Sequence, residues 1–225
     1  MISELESKAA GKAFRDFSAR MLCCRLGGYG EGDTIIGVRT PDIRALARER
    51  RGALLRDIET LLKNKTHEAR MLALLILSAR YGEDAVKLYL ANTRHVNNWD
   101  LVDASAHKLV GRWCFESDDY STMRSLADSP NMWEQRIAMV ATWHATRNGN
   151  TAPAVEFAEK FLSSPHDILH KAAGWMLRET GKKNPGALLG FLDAHAGEAP
   201  RTMLRYAIER LPAAKRLEYM RIGKA

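Results

Sequence analysis

The sequence predicts an all-α chain wound as an α-α superhelix, a solenoid of stacked helical repeats, and three observations carry that reading. Apolar residues recur at helical spacing through most of the 225 residues, while the strict alternation of half-buried strands is almost absent. Helix-boundary residues punctuate the chain at short intervals, with no Ser/Gly/Pro-rich linker or low-complexity tract between them. The third observation is a repeat. Laying Glu68-Ala69-Arg70-Met71-Leu72-Ala73 over Glu134-Gln135-Arg136-Ile137-Ala138-Met139, then over His170-Lys171-Ala172-Ala173 and Leu204-Arg205-Tyr206-Ala207, aligns one column. It reads Arg70, Asp103, Arg136, Lys171, Arg205, at steps of 33, 33, 35 and 34 residues. Helix pairs at a fixed period form a solenoid, in which each repeat packs on its neighbours and equivalent helices line one concave surface.

The elements follow in order. Thr40-Pro41-Asp42 predicts a cap, a proline at the first helical position and an acid in the first turn, opening a helix from Ile43 to Arg51. Thr66 predicts the cap of a helix that runs through Tyr81 and ends at Gly82. Trp99 to Val110 reads as one helix with Val102, Ala106, Leu109 and Val110 on its apolar face. Asn131, Pro165 and Asn184-Pro185 mark later boundaries, for about a dozen helices of roughly ten to eighteen residues. The period matches tetratricopeptide repeats, but their first-helix signature of Trp, Leu-Gly and Tyr has no counterpart. A HEAT-like array is the better reading, with the cation column along its concave face.

Composition bounds the rest. With 46% hydrophobic residues the chain can bury a sizeable core, and the absence of a boundary predicts a single HEAT-like domain over 1–225. The longest apolar run, Met71 to Leu77, is far too short to span a bilayer, and the acidic start Met1-Ile2-Ser3-Glu4-Leu5-Glu6 is no secretory signal. The expectation is a cytoplasmic monomer with no membrane partner. Cys23, Cys24 and Cys114 form neither a disulfide framework nor a zinc pattern, and His166 and His170 lack the glutamate of a zinc-hydrolase helix. No metal or cofactor is expected. The net charge of +7, placed periodically, points to a polyanionic partner.

The candidate site is the stretch Asn97-Asn98-Trp99-Asp100-Leu101-Val102-Asp103. On a helix, Trp99 and Asp103 are four residues apart and project together from a side other than the apolar face. Packing for Trp99 and a solvated first-turn role for Asp103 are the bland alternatives. The repeat argues against them, since the column holds one carboxylate in a row of bases. Trp113, Trp133 and Trp143 read as packing residues.

Ile36-Gly37-Val38-Arg39-Thr40-Pro41-Asp42-Ile43-Arg44, Asn98 to Asp103, Trp133-Glu134-Gln135-Arg136 and Lys171-Ala172-Ala173-Gly174-Trp175-Met176-Leu177-Arg178-Glu179 resemble the AlkD-type DNA alkylation repair glycosylases. The resemblance runs from about Tyr29 to Arg210, with four motifs in order and their separations preserved. It implies a HEAT-like solenoid that holds duplex DNA and hydrolyses the N-glycosidic bond of alkylated purines, notably 3-methyladenine and 7-methylguanine, without base flipping. By that resemblance Asp103 matches the catalytic aspartate, Trp99 and Trp175 the tryptophans flanking the lesion's deoxyribose, and Arg136 the arginine associated with the DNA backbone; Arg178 matches a further motif position. The column adds Arg70, Lys171 and Arg205 as candidate phosphate contacts. The chain departs from the family pattern in the glycine-rich segment Arg25 to Gly32, where Tyr29 is the aromatic available.

The residue types suit that chemistry on their own terms. A cationic purine departs neutral, so the protein must mainly stabilise positive charge growing on the sugar, which a fixed carboxylate and tryptophan faces both do. Arg and Lys along the column would hold phosphates. The competing classes are a non-catalytic DNA-binding repeat protein and a peptide-binding scaffold. Salt-dependent duplex binding separates the scaffold from the others, and base release separates the binder from the enzyme.

Overall fold

The computed structural model describes residues 1–222, and these form helices joined by short turns and loops. Among them the extended pairings are two isolated bridges, Ala9 with Val38 and Thr34 with Thr66. The chain divides into two compact units, residues 1–109 and the chain from Val110 on. The division falls at the short turns that precede Val110.

The first unit contains α1 (Ile2–Glu6), α2 (Lys12–Met21), α3 (Thr40–Glu49), α4 (Leu55–Leu62), α5 (His67–Arg80), α6 (Glu83–Ala91), a single 3-10 turn at Thr93–His95, and α7 (Trp99–Ser105). Its centre is α5, which packs on α3, α4, α6 and α7. Every residue from His67 to Leu74 is buried, so α5 is shielded on all sides. Helices α3, α5 and α7 form one row and α4 and α6 the other, as a two-row repeat requires. By contrast α2 buries no residue, and Phe17 and Met21 stand half exposed on it.

The second unit contains α8 (Val110–Ser117), α9 (Ser121–Ala127), α10 (Met132–Arg147), α11 (Ala152–Lys160), α12 (Asp167–Lys183), α13 (Pro185–His195), α14 (Arg201–Ala207) and α15 (Ala213–Arg221). Here α10, α12 and α14 pack in series while α11 and α13 form the second row. A helical glycine lets two of these helices meet closely. A Cβ on Gly111 would lie 2.1 Å from the Ala141 carbonyl oxygen, so α8 meets the α10 backbone directly.

Several boundaries stand where the sequence puts them. The Asn131 side chain accepts from the Trp133 amide at 2.9 Å and the Asn184 side chain from the Ala187 amide at 3.0 Å. Others shift. Arg39, not Thr40, occupies the N-cap of α3, which puts Thr40 in the first helical position and Pro41 just after it. The helix begun by Trp99 stops at Ser105, and Ala106 to Leu109 form turns before α8. Ser105 Oγ donates to the Leu101 carbonyl at 2.6 Å, a local bond that competes with helix continuation. Most helices are accordingly shorter than the periodicity suggests. Among the described residues no helix is long and apolar enough to cross a membrane.

Candidate active site

The start of α7 is gripped residue by residue. Asn98 caps the helix, its Oδ1 accepting from the Trp99 amide at 2.8 Å, while its Nδ2 donates to the Leu22 carbonyl at 3.1 Å. Gly30 closes over this contact: a Cβ there would lie 2.3 Å from the Leu22 oxygen and 3.2 Å from Asn98 Nδ2. Asn97 accepts from Arg70 Nη1 at 2.6 Å. Asp100 uses one oxygen to accept from the Leu101 amide at 2.9 Å and presents the other to His67 Nε2 at 2.8 Å.

His67 and its neighbours on α5 supply most of these holds. The His67 ring bridges two carboxylates, with Nδ1 on Asp33 at 3.1 Å and Nε2 on Asp100, and Arg70 pairs with the same Asp33 carboxylate. Glu68, one residue on, accepts the backbone amides of Ile36, Gly37 and Val38, the Gly37 bond at 2.7 Å. His67 is 3% exposed, and the side chains of Arg70 and Asp33 are 4% and 6% exposed. Burial alone would push the His67 imidazolium toward deprotonation. The hydrogen bonds to Asp100 and Asp33 outweigh that and hold its pKa up to about 9. At neutral pH the imidazolium donates on both sides, and two cations balance Asp33 and Asp100.

On this frame stand Trp99 and Asp103, both half-buried and one helical turn apart on α7. Beside Trp99 opens a groove of about 200 Å³ walled by Phe14, Phe17 and Met21 of α2 and by Ile43, with Asp100 and His67 at its polar edge. An aromatic face next to a carboxylate, with apolar surface alongside, can receive a sugar ring that carries positive charge.

The remaining sequence-predicted residues fall on two kinds of surface. Lys171 on α12 and Arg205 on α14 are exposed, and Lys171 pairs with Asp167, one turn earlier, at 2.8 Å. Arg178, half-buried on α12, pairs with Glu209. Trp175 is half-buried with its ring centroid 5.1 Å from that of Trp143 on α10. Arg136 is 4% exposed and donates from Nη1 to the Ile168 carbonyl. Trp133, expected to pack, is buried. The aligned column therefore lies on α5, α7, α10, α12 and α14, with Trp99, Asp103 and Arg70 in the first unit and the others in the second.

Burial gives Arg70 a different task from the one the column suggests. Its guanidinium is spent on Asp33 and Asn97, so it holds the loop before α7 in place rather than presenting charge to solvent. The sequence assigns no role to His67 or Asp33, and it places Asp100 in the candidate stretch without a task of its own. The available signal was the run His67-Glu68-Ala69-Arg70, three polar side chains at the start of an otherwise apolar helix.

Fold and site together define an all-helical repeat protein that raises an acid and a tryptophan on one turn and sets exposed cations on two of the equivalent helices, Lys171 on α12 and Arg205 on α14. The chain belongs to the DNA alkylation repair enzyme family, whose model matches residues 2–211, and this places it among DNA repair enzymes. No curated protein matches it. Its fold matches solved structures, among them one described as a predicted DNA alkylation repair enzyme from Enterococcus faecalis, with 16% sequence identity and a TM-score of 0.72. That likeness covers 91% of this chain and 98% of the other.

Proposed function

We propose that this protein is a DNA glycosylase that hydrolyses the N-glycosidic bond of cationic alkylated purines, such as 3-methyladenine and 7-methylguanine, in duplex DNA. The observation that carries the reading is the pairing of Asp103 with Trp99 on one turn of α7, raised on a helix start whose preceding and following polar groups are all held by hydrogen bonds. As the C1′–N bond breaks, its electron pair passes to the already cationic purine, which leaves neutral and needs no acid. Positive charge then grows on the sugar. The Asp103 carboxylate stabilises it, orients the water that attacks C1′ and accepts the proton that this water gives up, while the Trp99 face adds its quadrupole. Trp175 is the second aromatic that the family resemblance assigns to the sugar. Lys171 and Arg205 supply phosphate contacts, and Arg178 does so where the phosphate displaces Glu209. The substrate's own charge does the work of a leaving-group activator, so base flipping into a closed pocket is not required.

The test is single-turnover release of 7-methylguanine from methylated duplex by the Asp103→Asn variant. Excision is expected to fall by roughly 100- to 1,000-fold, the range for removal of one preorganised electrostatic partner, with duplex Kd within about twofold of wild type. Undiminished excision by that variant would remove Asp103 from catalysis.

A further inference from the structure

The buried charges beneath α7 do more than fill the interior. We propose that His67 is a positioning residue, an imidazolium strap that ties Asp100 on the first turn of α7 to Asp33 in the loop before α3 and so fixes how Trp99 and Asp103 are presented. The proposal rests on the glycosylase reading for its catalytic consequence, and on the geometry alone for the strap.

Three features of the cluster support it. First, His67 meets α7 at Asp100, the residue between Trp99 and the rest of the turn that carries Asp103, so a change at the ring reaches both site residues through one residue. Second, the other supports of that turn, Arg70 on Asn97 and Leu22 on Asn98, act before Trp99. His67 acts from α5 on a residue of the helix itself. Third, both ring nitrogens face carboxylates, an arrangement that is satisfied only when both carry protons. A neutral ring leaves one carboxylate oxygen facing a lone pair inside the protein, and a buried polar group without its partner loosens what surrounds it.

The charged and titratable groups around the ring are Asp33 and Cys24 from the preceding loop, Glu68 and Arg70 from α5, and Asp100 from α7. Arg70 opposes the imidazolium and the two aspartates favour it. Burial raises the Cys24 thiol to about 11, so Cys24 remains neutral over the range in which the ring titrates. Loss of the strap on the alkaline side is therefore a His67 event. Misplacement of a reacting group by about 1 Å costs on the order of 100-fold in rate, which sets the scale of the effect.

The experiment measures single-turnover excision of 7-methylguanine, duplex Kd, and hydrogen exchange of the α7 amides, for the full-length wild type and His67→Gln between pH 7 and 10. Glutamine keeps amide donors but has no positive charge and no pair of nitrogens set on opposite sides of a ring. The expected result is excision slowed about 100-fold in the variant with Kd within twofold, faster exchange at Trp99 to Ser105 but not in α5, and an alkaline loss of wild-type excision near pH 9 that the variant lacks. Wild-type excision flat to pH 10, or α7 exchange unchanged by the substitution, would overturn the strap. Should His67→Gln fail to fold, the wild-type pH profiles of excision and α7 exchange decide the matter. Absence of base release by the wild type itself would defeat the glycosylase reading, while the exchange measurement would still decide whether His67 holds α7.

Discussion

Gly174 on α12 lies directly against the Met203 carbonyl of α14: a Cβ at Gly174 would stand 2.4 Å from that oxygen and 2.6 Å from the Tyr206 Cβ. Backbone oxygen cannot rotate away, so any side chain at Gly174 must part the two helices. Trp175 is the next residue. Gly174→Ala is expected to lower stability by about 2 kcal/mol, since overpacking at two contacts exceeds the ~1 kcal/mol that alanine adds in helix propensity. Denaturant unfolding checks the first part. Excision by the variant below its melting range checks whether Trp175 moves with the helix.

The His67 cluster gives stability a defined pH dependence. Because the folded pKa is raised from 6.5 to about 9, protonation favours the folded state. The contribution is complete below about pH 6.5 and is lost as the pH rises through 9. Thermal unfolding of the wild type should therefore shift to lower temperature between pH 7 and 10, and the same scan on His67→Gln should lack that step. A wild-type Tm that rises over this interval would contradict the sign.

The cation column separates by burial: Arg70 and Arg136 lie inside the protein, Lys171 and Arg205 in solvent. Arg70→Ala leaves His67 as the partner of Asp33 and takes the arginine donor from Asn97 inside the first unit, and should destabilise by about 3 kcal/mol, the lower end of the cost of breaking a buried pair from one side. Lys171→Ala and Arg205→Ala leave exposed positions and should change stability by less than about 0.5 kcal/mol. Each of these two should instead weaken duplex binding equally for damaged and undamaged DNA and lower the salt slope by roughly one unit. Salt titrations of binding beside urea melts distinguish the two kinds.

That separation shows what the sequence conveys and what it withholds. The 33- to 35-residue period placed all five column residues on equivalent helices, because solenoid packing repeats the environment along with the residue. It could not say which side of the helix start a given arginine faces. Arg70 and Lys171 share a column, yet one is buried because Asp33 arrives from a glycine-rich loop and the other lies in solvent. The same loop explains why the His67 strap stayed hidden. Asp33, His67 and Asp100 are separated by 34 and 33 residues, and nothing local in any of the three marks it as a partner of the others. The apolar set Val102, Ala106, Leu109 and Val110 is fully buried as its spacing predicts, although the helix assumed to carry it ends at Ser105. Periodicity reports burial more faithfully than it reports unbroken hydrogen bonding.

The last prediction concerns lesion choice. A glycosylase that reads a flipped base does so with donors and acceptors along a pocket wall and can thereby accept neutral lesions. The surface beside Trp99 is of another kind. Phe14, Phe17, Met21 and Ile43 offer apolar contact to the groove, and Asp100 is committed to His67. On the glycosylase reading such a surface would grip sugar and hydrocarbon, with the Ser18 and Thr40 hydroxyls as its uncharged polar groups. On that reading selectivity would rest on the positive charge of the lesion, which weakens its own glycosidic bond. Excision is expected for N3- and N7-alkylpurines, including adducts too bulky for a closed pocket, and uracil or hypoxanthine should be released at least about 100-fold more slowly, the contribution of a missing proton transfer to the leaving group. Trp99→Ala and Trp175→Ala should each slow excision more than they weaken binding, because quadrupole stabilisation grows with charge on the sugar and is small in the bound ground state. The measurement is a panel of single-turnover excisions on duplexes carrying one lesion each, beside equilibrium binding to the same duplexes. Efficient uracil release, or a tryptophan variant that loses affinity and rate in equal proportion, would show that the base and not the sugar is what this surface recognises.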